Sequence, residues 1–467
     1  MSATVSALEL LEGVEGHWFS SPPKGELFWI NAGTDSRTIL SGNVFVALRG
    51  LRTDGHDHLE QAAGRGATLA VVERGIPGVN IPQIVVEDTL VALRKMGALV
   101  LAAHRKAGHR LISLTGSVGK TTTRELIRTG LPPGASHGSS GNENNEIGVP
   151  LTLLSWPPSA RWCVLEVGIR NPGDMDILAP LLSADTGLVT AVAPVHLETL
   201  GTLEGVWKEK SKLLRGVVEG GCRILPEEIR RTESKDPLFS DPTRRLLGVS
   251  LDRFPEADVS GELLSAEGKS VLSLRRPPLR LPLPWPSRAL GWCALMALAA
   301  LAAEGVDLAS AAERISLYRG YSGRMERRSH SSGLLLLLDH YNANPASMSE
   351  AFEWLSRERG LRQGARAYAV LGDMLELGEG SQGFHREIGE RAAMAGVAGV
   401  WYRGEQKSSF VEGFLRGGGK ESQIRDASVF ESDLKAGRGP GPEDILLVKG
   451  SRGMKLEEVV ATLLEGA

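Results

Sequence analysis

Four side chains could hold and activate a phosphorylated substrate. The first pair sits in Leu111–Ile127, an apolar strand that runs into Thr115-Gly116-Ser117-Val118-Gly119-Lys120-Thr121-Thr122 and then into a helical pattern. Glycines let consecutive backbone N–H groups converge on phosphate oxygens, and a helix N-terminus adds partial positive charge. Lys120 can reach β- and γ-phosphates, and Thr121 can ligate a magnesium ion. The common form of such a loop has a glycine five residues before Gly119, where Leu114 stands here, so this is a short variant. The loop signals a nucleoside triphosphate without saying which reaction follows.

The other pair lies downstream. Strand Trp162–Val167 carries Glu166, placed as a magnesium ligand or, more simply, as an edge carboxylate. Strand Gly187–Val192 leads to His196 and then to the helix Leu203–Val217. The apolar stripe of that helix, Leu203, Val206/Trp207, Leu213/Leu214 and Val217, has Lys210 at its middle, with Lys208, Glu209, Lys212 and Arg215 outside it. An inward lysine must be paired, neutralised or snorkelling. A neutral amine can take up carbon dioxide and become a carbamate, which turns a cation into an anionic metal ligand.

The elements around these residues alternate between strand and helix, which predicts an α/β fold with mostly parallel sheets. Three blocks emerge: residues 1–107, 108–318 and 319–467. The first has strands at Val44–Leu48, Leu69–Glu73 and Gln83–Glu87 and a helix at Thr89–Lys106. In the second, Ala289–Ala303 reads as a buried helix and the proline-rich Leu272–Pro286 as irregular chain or a sheet edge. The third reads as strands at Leu334–Asp339, Arg366–Leu371, Gly399–Tyr402 and Ile445–Lys449, with helices between.

The combined set resembles the Mur ligase family, whose members carry a short TGSxGKTT loop, a strand-end Glu, and a His followed fourteen residues later by a carbamylated lysine. His196 and Lys210 have that spacing. Three further stretches, Gly141–Pro150 (GNENNEIGVP), Tyr341–Pro345 (YNANP) and Leu371–Glu379 (LGDMLELGE), are similar to the branch that adds D-alanyl-D-alanine to a UDP-N-acetylmuramoyl-tripeptide. The resemblance implies a uridine-nucleotide-binding first domain, a central ATPase domain and a Rossmann-like third domain. It also implies ATP-dependent amide bond formation through an acyl phosphate, with two Mg2+ ions and a carbamate on Lys210.

By the same resemblance Lys120, Glu166, His196, Lys210 and Arg324 are catalytic, and Thr121, Glu166, His196 and Lys210 hold metal. Gly116 to Thr122, with Asp339, Asn342 and Asn344, contact nucleotide. Ser36, Arg37, Asn142, Asn144, Asn145, Lys449, Ser451 and Arg452 contact the other substrates. Two positions depart from the family. Gly291-Trp292-Cys293-Ala294 stands where a His–Asn pair contacts adenine, which leaves the ring to stack on Trp292 or to use backbone groups. His340 replaces a small residue.

Composition narrows the partners. A net charge of -3 argues against nucleic acid or an anionic membrane as the main partner. The N-terminus has no signal-peptide pattern, and the Ala289–Ala303 run is too short to span a bilayer. Cys163, Cys222 and Cys293 form no CxxC pair, which suits reduced thiols in a cytoplasmic protein; a monomer is expected.

Overall fold

The computed structural model describes residues 5–465, apart from 20–21, 23–27, 30, 51–52, 140, 142 and 267–268. Three large sheets carry the chain, each with helices packed on it. The first has five strands, His17–Trp18, Gln83–Val85, Leu69–Val72, Val44–Val46 and Ala32–Gly33, parallel except for the first. Its buried strands are short apolar runs, and Asp88 caps the long helix Thr89–Lys106 that leads to the second sheet.

That second sheet has nine strands. Its centre is Arg110–Thr115, flanked in parallel by Thr186–Val189 on one side and Trp162–Glu166 on the other. All three are almost wholly buried, the pattern of a parallel sheet covered on both faces. Their registers bring Glu166 opposite Leu114, and Val189 opposite Thr115. The C-terminal ends of these strands therefore open at one level, where parallel α/β sheets bind ligands. The alanine-rich helix Arg288–Ala303 is buried, as expected. Its small side chains let it lie close against helix Lys120–Gly130, where a Cβ on Gly130 would come within 2.5 Å of Leu301.

The proline-rich stretch is an edge, but it is not irregular. Lys269–Arg275 and Pro278–Leu283 form an antiparallel hairpin, with Pro278 and Pro282 on the outermost strand, where a missing N–H costs no ladder bond. The third sheet runs Glu326–Ser329, Leu335–Leu338, Ile445–Lys449, Ala367–Gly372, Val397–Arg403, Ile424–Asp426, parallel except for the first. Its two outer strands were not anticipated. They are short and polar, and pairing with an apolar neighbour decides them.

Where the first sheet's long helix ends, His104 stacks on Trp156 with centroids 4.1 Å apart. Its Nε2–H donates to the Trp156 carbonyl (3.1 Å), so Nδ1 accepts from His109 Nδ1 (2.7 Å). Burial, and then the charge of His109, lower its pKa to about 4. A folded pKa below the unfolded one means the neutral ring contributes stability above about pH 6.5, and that this is lost as pH falls toward 4. Between pH 7 and pH 5 the wild type should therefore lose more Tm than His104→Gln, by about 2 °C or more in thermal melts. Equal slopes would contradict the assignment.

Candidate active site

The phosphate loop is held open by its neighbours. Gly116 (φ 153°) and Gly119 (φ 80°) make the turn, and helix Lys120–Gly130 starts directly after it. A Cβ on Gly116 would fall 2.0 Å from Thr190 Oγ1 and 3.0 Å from the Ala191 backbone N. Ser117 donates its N–H to Ala191 O (2.8 Å) and its hydroxyl to Ala193 O (3.0 Å). Thr190 Oγ1 donates to Val118 O at 2.6 Å. The chain beyond strand Thr186–Val189, expected to stay extended to Val192, is instead the brace of this loop. Lys120 Nζ donates to Gly116 O (2.8 Å), so it lies folded over the loop. Thr122 and Val118 also line the cleft.

Glu166 is buried and fully engaged. The Thr121 hydroxyl donates to its Oε2 (2.7 Å), Asn144 Nδ2 donates to Oε1 (3.0 Å), and Arg124 Nη1 lies 3.5 Å from Oε2. Burial pushes its carboxyl up, but Arg324, Lys120, Arg124 and Thr121 outweigh that and hold it below the ordinary carboxylate value. Burial lowers the Lys120 pKa against the pull of Glu166, and Arg324 adds to the lowering. Arg124 was not singled out from the sequence. One helical turn after Lys120, it is buried against Glu166 and lies 5.7 Å above the Tyr321 ring.

His196 has a left-handed backbone (φ 52°) and begins the short helix Leu197–Leu200. Its Nδ1 lies 2.6 Å from Glu376 Oε2, a contact between the second and third domains that sequence reasoning missed. Glu376 is held below the ordinary value, mainly by this bond. Lys210 is buried at 1% exposure, with no hydrogen bond or ion pair to Nζ among the described residues. Burial first, and Lys120 second, draw it well below the usual lysine range, with Glu209 and Glu166 opposing. Two details of the expected stripe are corrected. Leu203 is half exposed, because it lies in the first turn of its helix. Glu209 is buried, because the Gly173 and Met175 N–H groups donate to it (3.0 and 2.9 Å).

The third domain closes the other wall of a cleft of about 1140 Å³. Arg324 lies 4.0 Å over the Tyr341 ring, and its buried Nε has no hydrogen-bond partner among the described residues. Asp339 accepts from Met325 N (3.1 Å) and pairs with Lys449 (2.5 Å). Lys449 also donates to Asn342 O (3.0 Å), and Ser451 Oγ accepts from Leu375 N (2.9 Å). Asn344 caps its helix by accepting from Ser347 N (2.9 Å). Asp339, Asn342, Asn344, Lys449 and Ser451 thus shape the wall through bonds within the protein. Arg452 pairs with Glu457 (2.6 Å).

The expected substrate residues divide. Asn144 and Asn145 line the cleft, although Asn145 Oδ1 is engaged by Ile147 N and Gly148 N. Ser36 and Arg37 do not line it; Ser36 donates to Gln61 (2.6 Å) and Arg37 pairs with Asp35 (2.8 Å). Asn142 lies outside the described residues. Trp292 lines the cleft and donates Nε1–H to Thr190 O (3.0 Å), which fixes its ring beside the phosphate loop. His340 packs against Gly323, 3.6 Å from Glu457.

Comparison with known proteins gives this arrangement a family. The Mur ligase middle domain matches residues 114–254, the Mur ligase glutamate ligase domain 323–452, and the Mur ligase family catalytic domain 31–112. The UDP-N-acetylmuramoyl-tripeptide–D-alanyl-D-alanine ligase of Bacillus subtilis is 31% identical over 437 residues, covering 92% of each chain. The chain belongs to the Mur ligase family. The enzyme of the same name from Escherichia coli is 31% identical over 435 residues, covering 92% of this chain and 93% of its own. MurF from Acinetobacter baumannii superposes with a TM-score of 0.83 at 27% identity over 99% of both chains. MurF from Thermotoga maritima in complex with ADP gives 0.77 at 25% identity, over 93% of this chain and 97% of its own. The expected three-domain α/β fold of a Mur ligase is thus the fold of this chain.

The unpartnered Arg324 Nε, the folded Lys120 and the glycine cradle fit phosphate oxygens. Gly116→Ala should therefore distort the loop and weaken magnesium–ADP binding at least tenfold by calorimetry. Wild-type affinity in a folded variant would contradict the packing argument.

Proposed function

We propose that this Mur ligase joins D-alanyl-D-alanine to UDP-N-acetylmuramoyl-tripeptide at the expense of ATP. The observation that carries the reading is that Lys120, Glu166 and Arg324, from two domains, line one cleft, with Arg124 3.5 Å from the buried Glu166. The relatives' names supply the substrates, and the ADP-bound relative supports ATP as the nucleotide.

A peptide carboxylate resists attack by an amine, because oxide would have to leave. Transfer of the γ-phosphoryl group to a carboxylate oxygen gives an acyl phosphate and ADP. The dipeptide amine then adds to the carbonyl carbon, and phosphate departs as the amide forms. Several anionic oxygens must crowd together in both steps, and cations offset their repulsion. Lys120 and the loop N–H groups take the β- and γ-phosphates. Arg324 reaches them from the third domain. Thr121 and Glu166, already hydrogen-bonded to each other, would hold one magnesium ion, and His196, Glu166 and Lys210 a second. Magnesium, when bound, would neutralise charge between the γ-phosphate and the substrate carboxylate.

Among the described residues no group of three or more His, Cys, Asp and Glu side chains is arranged to hold a metal. A second ion therefore needs a further anionic ligand. A carbamate on Lys210 meets that need: its neutral amine takes up carbon dioxide and releases a proton. The burial of Lys210, whose Nζ has no hydrogen bond or ion pair among the described residues, supports this use.

We further propose that residues 1–107, 108–318 and 319–467 move as separate bodies around the cleft, and that Ser36 and Arg37 contact the uridine nucleotide. Three buried, free cysteines fit action in the cytoplasm, and we propose a monomer that, with its net charge of -3, takes no nucleic-acid partner. Among the described residues no helix is long and apolar enough to cross a membrane.

Phosphate release should require ATP, tripeptide and dipeptide together; release without the dipeptide at the full rate would refute the reading. Lys210→Ala should cut turnover at least 100-fold, change magnesium–ADP affinity less than tenfold, and recover in part with added short carboxylates. Full turnover without them would remove the carbamate.

A further inference from the structure

Among the described residues, seven lysine and arginine side chains line the cleft. Four are committed to carboxylates of this chain: Arg253 to Glu228, Arg288 to Asp252, Lys449 to Asp339 and Arg452 to Glu457. Lys120 is folded onto the phosphate loop, and Arg324 lies over Tyr341, both acting on Glu166. The seventh is Arg170. Its guanidinium has no hydrogen bond or ion pair among the described residues, and its side chain is exposed to the cleft. It acts on Glu376 electrostatically, but Glu376 is bonded to His196 instead.

The base of Arg170 is fixed while its tip is free. Its N–H donates to Asp174 Oδ2 (2.8 Å), and its carbonyl accepts from the Thr199 hydroxyl. Thr199 lies three residues beyond His196 in the same short helix, so Arg170 is tied to the backbone that presents His196. It is also four residues beyond Glu166, which limits the separation of their Cα atoms to about 14 Å. An arginine held this way, facing solvent in a cleft of charged groups, is an anion receptor. Its planar fork suits a carboxylate.

We infer that Arg170 binds a substrate carboxylate other than the one being activated. The inference rests on the ligase reading. The phosphates already have Lys120, Arg324 and a helix N-terminus, so a second anion is the ligand left for Arg170. Two carboxylates of the reaction qualify. One is a carboxylate at the end of the third peptide residue's side chain, which starts next to the activated group and ends several bonds away. The other is the C-terminal carboxylate of the incoming dipeptide. In the first case Arg170 selects a third residue that ends in a carboxylate over one that ends in an amine alone.

Steady-state phosphate release with each tripeptide separates these sources. Arg170→Ala should raise one KM about tenfold to a hundredfold, with magnesium–ADP affinity unchanged and Arg170→Lys intermediate. A rise confined to the diaminopimelate tripeptide, absent with the lysine tripeptide and repeated in calorimetric binding without nucleotide, assigns the side-chain carboxylate. A rise confined to D-alanyl-D-alanine assigns the dipeptide. Unchanged KM values, or a loss in kcat alone with every substrate, would overturn the inference. Wild-type turnover in the same assay separates the two failures, because an incorrect ligase reading would abolish phosphate release altogether.

Discussion

A carboxylate buried at the end of a parallel strand is the constraint around which this molecule is arranged. Glu166 is taken out of water, which alone would favour its neutral form. It stays an anion because Thr121 and Asn144 donate to it and because three cations face it. Removing any one of these leaves the rest uncompensated in a medium where charge is poorly screened. The loop, the helix that follows it and the third domain are thereby tied to one atom pair. Arg324 sits in the turn bridged to Tyr321, whose hydroxyl accepts from the second domain's Gly141 N (3.1 Å).

The same arrangement explains why the protein invests in two kinds of lysine. Lys120 lies over the loop and meets an acid, so its charge serves phosphate. Lys210 is buried without such a bond, and the charge of Lys120 works against it. Lys210 does not itself line the cleft, but its ammonium form and that of Lys120 oppose each other, and converting one into an anion relieves that opposition. The His196–Glu376 contact adds a second tie across the cleft, so both walls bear on the groups that would handle the phosphoryl oxygens.

Much of this was legible in the residues themselves. The phosphate loop declares itself, because strand, glycines, lysine, hydroxyls and helix come in order. Lys210 stood out as a cation in an apolar stripe, and its burial follows from that position. Other features depend on contacts far apart in the chain. Arg124 looks like an ordinary helix-surface arginine until strand Trp162–Glu166 is placed beside it. Glu376 gains meaning only from His196, 180 residues earlier. Glu209 reads as polar surface, yet two backbone donors from another loop draw it inside. Lys449 and Ser451 were assigned to substrate from their motif, whereas their bonds run to Asp339, Asn342 and Leu375, groups whose approach the local pattern does not encode.

For the two walls to form one site, the third domain must bring the charge of Arg324 to the nucleotide. Calorimetric titration of a magnesium-bound, non-hydrolysable ATP analogue into the wild type and Arg324→Ala tests this directly. Loss of a desolvated charge-assisted bond predicts a Kd raised about tenfold or more. Equal affinities in two folded proteins would contradict the shared site.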